Sequence, residues 1–165
     1  MDEWHDFFLA TSAAAGVLTG LVFVGVSINL EKIIAQSRSG LAGRAAEALI
    51  LLLAVLTVSI LLLVPGQGVS LMGTEVLVVG VVSYVWIAII QALQLRNLPT
   101  MAPDLRGPFA LRVILAQIAT LPTVIAGIAL LAVGLDGLYW LVAGMVLSTL
   151  AAMFEAWVLL VEINR

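Results

Sequence analysis

Hydrophobic residues occupy five long stretches of the chain, separated by short segments rich in Gly, Pro, Ser and Arg. A helix needs ~20 mostly apolar residues to cross a ~30 Å hydrocarbon core. Strands of a membrane barrel instead alternate apolar and polar residues with a period of two, and these stretches are apolar on every face. The pattern therefore predicts one all-helical transmembrane domain, a five-helix bundle with spans at about residues 7–30, 45–64, 76–95, 109–133 and 138–163.

The segments between the stretches contain the residues that end or begin helices. Pro65 and Gly66 follow the second stretch, and Pro108 is placed to start the fourth helix. The last connection covers only residues 134–137. We therefore expect the fourth and fifth spans to form an antiparallel hairpin.

Composition excludes a water-soluble fold and several classes of site. The chain is 63% hydrophobic and 10% charged, whereas an ordinary soluble domain is about half apolar and about a quarter charged. The net charge of −3 gives no support for nucleic-acid binding. The chain has no Cys and a single His, His5. With no nucleophile–base set or paired Asp visible, we expect no catalytic activity, no cofactor and no metal site.

The basic residues indicate how the chain is oriented. They surround the first loop, the third loop and the C-terminus: Lys32, Arg38, Arg44, Arg96, Arg106, Arg112 and Arg165. Five alternating crossings place all of them on one side, and cytoplasmic loops carry an excess of Lys and Arg. The sequence predicts an N-terminus outside and a C-terminus in the cytoplasm, with Trp4, Tyr139 and Trp140 at the outer interface.

Polar side chains inside the spans concentrate in the cytoplasmic half. Glu155 lies about eight residues from the end of its span, ~12 Å deep at 1.5 Å per residue. An isolated charge at such a position costs about 2.5–3.5 kcal/mol on insertion scales. The other candidates at similar depth are Glu47, Gln91, Gln94, Arg112 and Gln117.

Two interpretations of these polar residues stay open. In the first, Glu155 and Glu47 pair with Arg112, Arg44 or the glutamines and hold the bundle together. In the second, the polar groups line a water-filled vestibule that opens to the cytoplasm and contacts an ion, a proton or a small solute. The second has support because ionisable residues inside spans often mark transport paths.

Small residues form a stripe along two of the predicted helices. Small residues let transmembrane helices approach closely, so the stripes predict either packing within the chain, for example of the first span on the fifth, or an oligomer seam. The stripes include Gly16 and Gly20 in the first span, and Gly137, Gly144, Ser148 and Ala151 in the fifth.

Three segments in the first third of the chain carry a resemblance to a known group. They are residues 3–8 (EWHDFF), 20–30 (GLVFVGVSINL) and 43–49 (GRAAEAL). The chain resembles a group of small bacterial membrane proteins that are sometimes labelled "modulator of FtsH protease". The resemblance implies a multi-pass protein of the bacterial plasma (inner) membrane, and it assigns no functional residue.

Two classes of function are expected from the sequence. The first is a small channel or transporter-like protein, acting as a homo-oligomer in the lipid bilayer, with Glu155, Glu47, Gln91, Gln117 and Arg112 as pore-lining or binding residues. The second is a non-catalytic accessory or regulatory subunit of a larger membrane complex, such as a membrane protease.

Overall fold

Every regular element that the structure describes is helical. The computed structural model describes residues 2–35, 40–96 and 103–163, without the side chains of residues 2, 103–106, 108, 162 and 163. A short helix α2 (Leu30–Ala35) follows the first long helix, and a 3-10 turn (Gly134–Gly137) joins the last two. The long helices are α1 (Asp2–Ile28), α3 (Leu41–Leu62), α4 (Val69–Leu95), α5 (Pro103–Val133) and α6 (Leu138–Ile163).

The helices are compatible with a multi-pass membrane protein. Four segments of the described chain are long and apolar enough to cross a membrane: Glu3–Ile28, Leu41–Leu62, Val69–Leu95 and Phe109–Val161. The last of these segments contains most of α5, the 3-10 turn and most of α6.

Some helices extend beyond the apolar runs that predicted them. α4 begins at Val69 rather than near residue 76, and α5 begins at Pro103 rather than near residue 109. Pro103 therefore occupies the first helical position that we expected for Pro108. A proline is favoured there because the N–H that it lacks has no partner within the helix. The added turns contain more polar residues than the apolar runs, and hydropathy alone does not detect such turns as helix.

Four of the long helices form a closed ring. Each of α3, α4 and α5 packs on the next helix in the chain, and α6 packs on α3. α1 lies outside this ring, mainly against α3. Its buried apolar side chains Phe8, Ala15 and Val22 recur every seventh residue and so share one face.

The two ends of the bundle differ in the residues they carry. The turn end contains the start of α1 and the 3-10 turn, and the rings of Trp4 and Tyr139 meet there with centroids 5.3 Å apart. The opposite end, called the basic end, contains Lys32, Arg44 and Arg96. Arg38 and Arg165 lie outside the described residues, as does the side chain of Arg106.

Candidate functional site

Each of the four ring helices contributes one buried polar residue to a common level near the basic end. They are Glu47 of α3, Gln91 of α4, Arg112 of α5 and Glu155 of α6, which are exposed by 1%, 3%, 5% and 6%. Together with Arg44, Gln94 and Gln117, which contact them, these residues form what we call the polar layer. The buried groups face the inside of the ring, away from surrounding lipid.

Arg112 lies at the centre of the polar layer. Its Nη2 atom is 2.8 Å from Oε1 of Glu47, and its Nε atom is 3.4 Å from Oε2 of Glu155. Its Nη1 atom donates a hydrogen bond of 2.9 Å to Oε1 of Gln94. The planar guanidinium carries five donors in a fixed arrangement, so this one side chain connects three other helices of the ring.

A second guanidinium balances the charge of the layer. Nη1 of Arg44 donates to Oε2 of Glu155 at 3.1 Å, so the Glu155 carboxylate lies between Arg44 and Arg112. Two guanidiniums therefore face the two carboxylates of Glu47 and Glu155. A buried charge is tolerated when it is paired, and the layer satisfies that condition.

The glutamines complete part of the layer and leave some atoms without a hydrogen bond. Nε2 of Gln117 donates to Oε1 of Gln91 at 3.1 Å. Neither carboxylate oxygen of Glu47 has a hydrogen-bond partner among the described residues, although Oε1 is within ion-pair distance of Arg112. The Gln91 side chain also lies within reach of the Glu47 carboxylate as a donor.

Local spacing explains why α3 and α4 each present two polar groups to the layer. Arg44 and Glu47 are three residues apart, as are Gln91 and Gln94, so each pair lies on one helix face. A Cβ atom at residue 43 would overlap Nε2 of Gln94. Gly43 has no Cβ atom, so the Gln94 side chain can lie against α3 at this point. α3 and α4 can therefore approach closely beside the layer.

The structure brings together all five residues that the sequence offered as pore-lining or binding candidates: Glu155, Glu47, Gln91, Gln117 and Arg112. It places them inside one protomer.

The small residues of the predicted fifth span, which lie in the 3-10 turn and α6, contact α5. A Cβ atom at Gly144 would lie 2.5 Å from Oγ1 of Thr123, and one at Gly137 would lie 2.5 Å from the backbone N of Leu130. The Ser148 hydroxyl donates across the same seam to the carbonyl of Ala119 at 3.0 Å. The fifth-span stripe thus packs on the fourth span, its neighbour in the hairpin.

The stripe of α1 has a different surrounding. A Cβ atom at Gly16 would be 3.8 Å from Leu56 of α3, and one at Gly20 would have no atom within 4 Å. α1 packs mainly on α3 rather than on α6, contrary to the first-on-fifth packing that the two stripes suggested. Ala151, the last member of the α6 stripe, lines a groove between α5 and α6.

Sequence reasoning missed the seam between α4 and α5. A Cβ atom at Gly127 would lie 2.6 Å from both N and Cα of Leu77, and one at Gly80 would lie 3.2 Å from the backbone N of Val124. Gly73 makes a third close approach, to Leu131. The seven-residue spacing of Gly73 and Gly80 was the available signal, because it puts both on one face of α4.

The ring interior becomes apolar between the polar layer and the turn end. One apolar cluster includes Leu51, Leu52 and Ile87, and the next, nearer the turn end, includes Val58 and Leu130. Buried hydroxyl groups also occur at these levels. Each of the following donates a hydrogen bond to a backbone carbonyl: Ser59, Ser83, Thr120 and Ser148.

Comparison with known proteins adds no family. No protein-family model matches the chain, no curated protein matches its sequence, and no solved structure matches its fold.

Proposed function

We propose that this chain is a non-catalytic accessory subunit of a larger membrane complex in the bacterial inner membrane. The observation that carries the proposal is the inward-facing, charge-balanced polar layer below a ring interior filled with apolar side chains. This arrangement fits a role of the charges in holding four helices together. A membrane-bound protease is the example of a partner that we propose to test first, because the group that the chain resembles is sometimes labelled with one.

The same geometry gives little support to the channel interpretation. A path through one protomer would have to pass the apolar clusters around Leu51, Leu52 and Leu130, which are buried and packed. A path between copies would be lined by outward-facing side chains. Those residues are largely apolar, with Val78, Trp86 and Ile128 as examples, whereas the candidate pore-lining residues point inward.

We also propose five crossings, with the N-terminus outside and the C-terminus in the cytoplasm. Contacts along Phe109–Val161 support two crossings there, because Gly137 lies opposite Leu130 and Gly144 opposite Thr123. Residues farther from the 3-10 turn along α6 thus contact residues farther from the turn along α5, as in an antiparallel hairpin. A straight helix over this segment would be ~80 Å long at 1.5 Å per residue, far more than the ~30 Å core.

The proposed orientation predicts which positions are accessible from outside. Single cysteines at Gly68 and at Arg96 provide a matched pair, because the chain has no native Cys and both positions are exposed. We expect a membrane-impermeant maleimide added to intact cells to label Gly68→Cys and to leave Arg96→Cys unlabelled until the cells are opened. Labelling of Arg96→Cys in intact cells would contradict the orientation.

The accessory role predicts a complex and no ion flux. We expect the protein to co-purify from mild detergent in fixed stoichiometry with a membrane-bound protease. Purified protein in liposomes should pass K⁺, Cl⁻ and H⁺ no faster than protein-free liposomes, with an ionophore as the positive control. Flux that rises with protein content, and falls in Glu155→Gln liposomes of equal protein content, would replace this proposal with the channel.

A further inference from the structure

The short helix α2 lies at the basic end of the bundle, where it packs on the seam between α3 and α6. Its buried residue is Ile33, which is 2% exposed. Ile33 belongs to a small buried apolar cluster with Leu41 and Ala45 of α3 and Leu159 of α6. One side chain of α2 thus closes this seam at the basic end.

The Ile33 cluster lies about one helical turn beyond the ion pair of Arg44 and Glu155. Leu41 precedes Arg44 by three residues and Leu159 follows Glu155 by four, so each apolar residue shares a helix face with the charged one. α3 begins and α6 ends at the basic end. The cluster therefore separates the ion pair from the water at that end.

Few buried groups hold α2 in this position. Ile33 is the buried one of its six residues, and the apolar side chains of Leu30 and Ile34 are exposed. Segments with few buried apolar contacts open at a low cost in free energy, well below that of unfolding the whole protein. The α2 helix is therefore the part of the basic end that can most easily leave the bundle.

The connection between α1 and α2 gives α2 a point about which to bend. Asn29 forms a turn between the two helices, and its backbone N–H reaches the carbonyl of Val26 at 3.2 Å. Its side-chain amide donates to the carbonyl of Gly25 at 2.9 Å. The amide can keep this carbonyl bonded when the backbone of α2 moves away, so bending at Asn29 leaves the end of α1 capped.

We propose that α2 is a hinged cover of the polar layer. With Ile33 docked, water at the basic end is kept from Arg44 and Glu155. When α2 bends away at Asn29, that water reaches the ion pair. The attraction between two charges weakens as the local dielectric constant rises. The position of α2 therefore sets how strongly α3 is held to α6 near the basic end.

The test measures how fast single cysteines react with a small charged methanethiosulfonate in nanodiscs, by mass spectrometry of the intact protein. The chain has no native Cys. Ala45→Cys reports on the cover, because Ala45 is buried beside Ile33. A minor open state is typically populated at about 0.1–10%, so we expect Ala45→Cys to react about 10–1,000-fold more slowly than the exposed Arg96→Cys.

Two neighbouring isoleucines provide matched variants of the cover. Ile33→Ala removes the docked side chain, and it should speed the reaction of Ala45→Cys at least about tenfold, because truncating a buried isoleucine costs more than the ~1.4 kcal/mol of a tenfold change. Ile34→Ala makes the same change at an exposed position of α2, and it should alter the rate less than about twofold.

Ala48→Cys is the control for opening of the whole bundle. Ala48 is fully buried about one turn deeper in α3, outside the Ile33 cluster. We expect it to stay unreactive in the otherwise unmodified protein and in the Ile33→Ala variant, because the cover moves without unfolding the ring.

Three results would overturn the proposal. Equal rates for Ala45→Cys in the Ile33→Ala and Ile34→Ala variants would show that Ile33 does not close the seam. An Ala45→Cys as unreactive as Ala48→Cys in the otherwise unmodified protein would show that α2 stays docked. Acceleration of Ala48→Cys together with Ala45→Cys would assign the effect to loosening of the whole bundle. These measurements are independent of the accessory role and of the orientation in the membrane.

Discussion

Replacing Arg112 by Met lowers the free energy of unfolding by about 3–5 kcal/mol, the range measured when one partner of a buried ion pair is removed. Arg112 contacts Glu47 at 2.8 Å and Glu155 at 3.4 Å. Glu155 keeps Arg44 as a partner in the variant. Glu47, which is 1% exposed, loses its ion-pair partner and leaves an unpaired charge inside the ring.

The measurement is reversible unfolding of the protein in mixed micelles, followed by circular dichroism as denaturing detergent is increased. Arg96→Met is the matched control, since it removes the same side chain at an exposed position near the basic end. Exposed charges contribute little to stability, so this variant should unfold as the unmodified protein does. Equal behaviour of the two variants would show that the buried pairs do not stabilise the ring.

Gly127→Ala destabilises the bundle by about 1–3 kcal/mol, the usual cost of overpacking a close contact. The added methyl group would lie 2.6 Å from N and Cα of Leu77. These are backbone atoms, which cannot rotate away as a side-chain end can. α4 and α5 must therefore separate, and the nearby packing of Gly80 on Val124 loosens with them.

Gly20→Ala is the control for the effect of alanine on helix propensity. A Cβ atom at Gly20 would have no atom within 4 Å, so the same substitution meets no obstacle in α1. It should leave stability unchanged or raise it by up to about 1 kcal/mol, because alanine loses less backbone entropy in a helix. If Gly127→Ala were as stable as Gly20→Ala, the close α4–α5 seam would be refuted.

The class of fold could be predicted because its cause is visible in composition. Long apolar runs in a chain with few charges must form helices in lipid, because only then are the backbone polar groups paired. Every regular element in the described residues is helical. The sequence also allowed the prediction that the polar residues of the layer pair with one another, because a charge deep in a span needs a partner. Pairing Glu155 with both Arg44 and Arg112 required the ring, since these residues lie on three helices.

Helix neighbours could not be predicted from small residues alone. Gly20 and Gly144 belong to similar stripes, yet a Cβ atom at Gly144 would meet the backbone of α5, whereas one at Gly20 would have no atom of a described neighbouring helix within 4 Å. A stripe of small residues shows that another helix can approach closely, but it does not indicate which helix that is. The seam at Gly127 shows the converse, because a single glycine without a stripe carries one of the tightest contacts.

Removing both members of the central ion pair tests most directly whether the polar layer is an internal structural network. Glu47→Met combined with Arg112→Met leaves Arg44 paired with Glu155 and no unpaired charge. Since apolar replacement of a whole buried pair is often neutral or stabilising, we expect the double variant to unfold within about 1 kcal/mol of the unmodified protein, although each single variant is strongly destabilised. If the free energy of unfolding of the double variant instead falls by the sum of the two single decreases, the two charges act independently and the network described here is wrong.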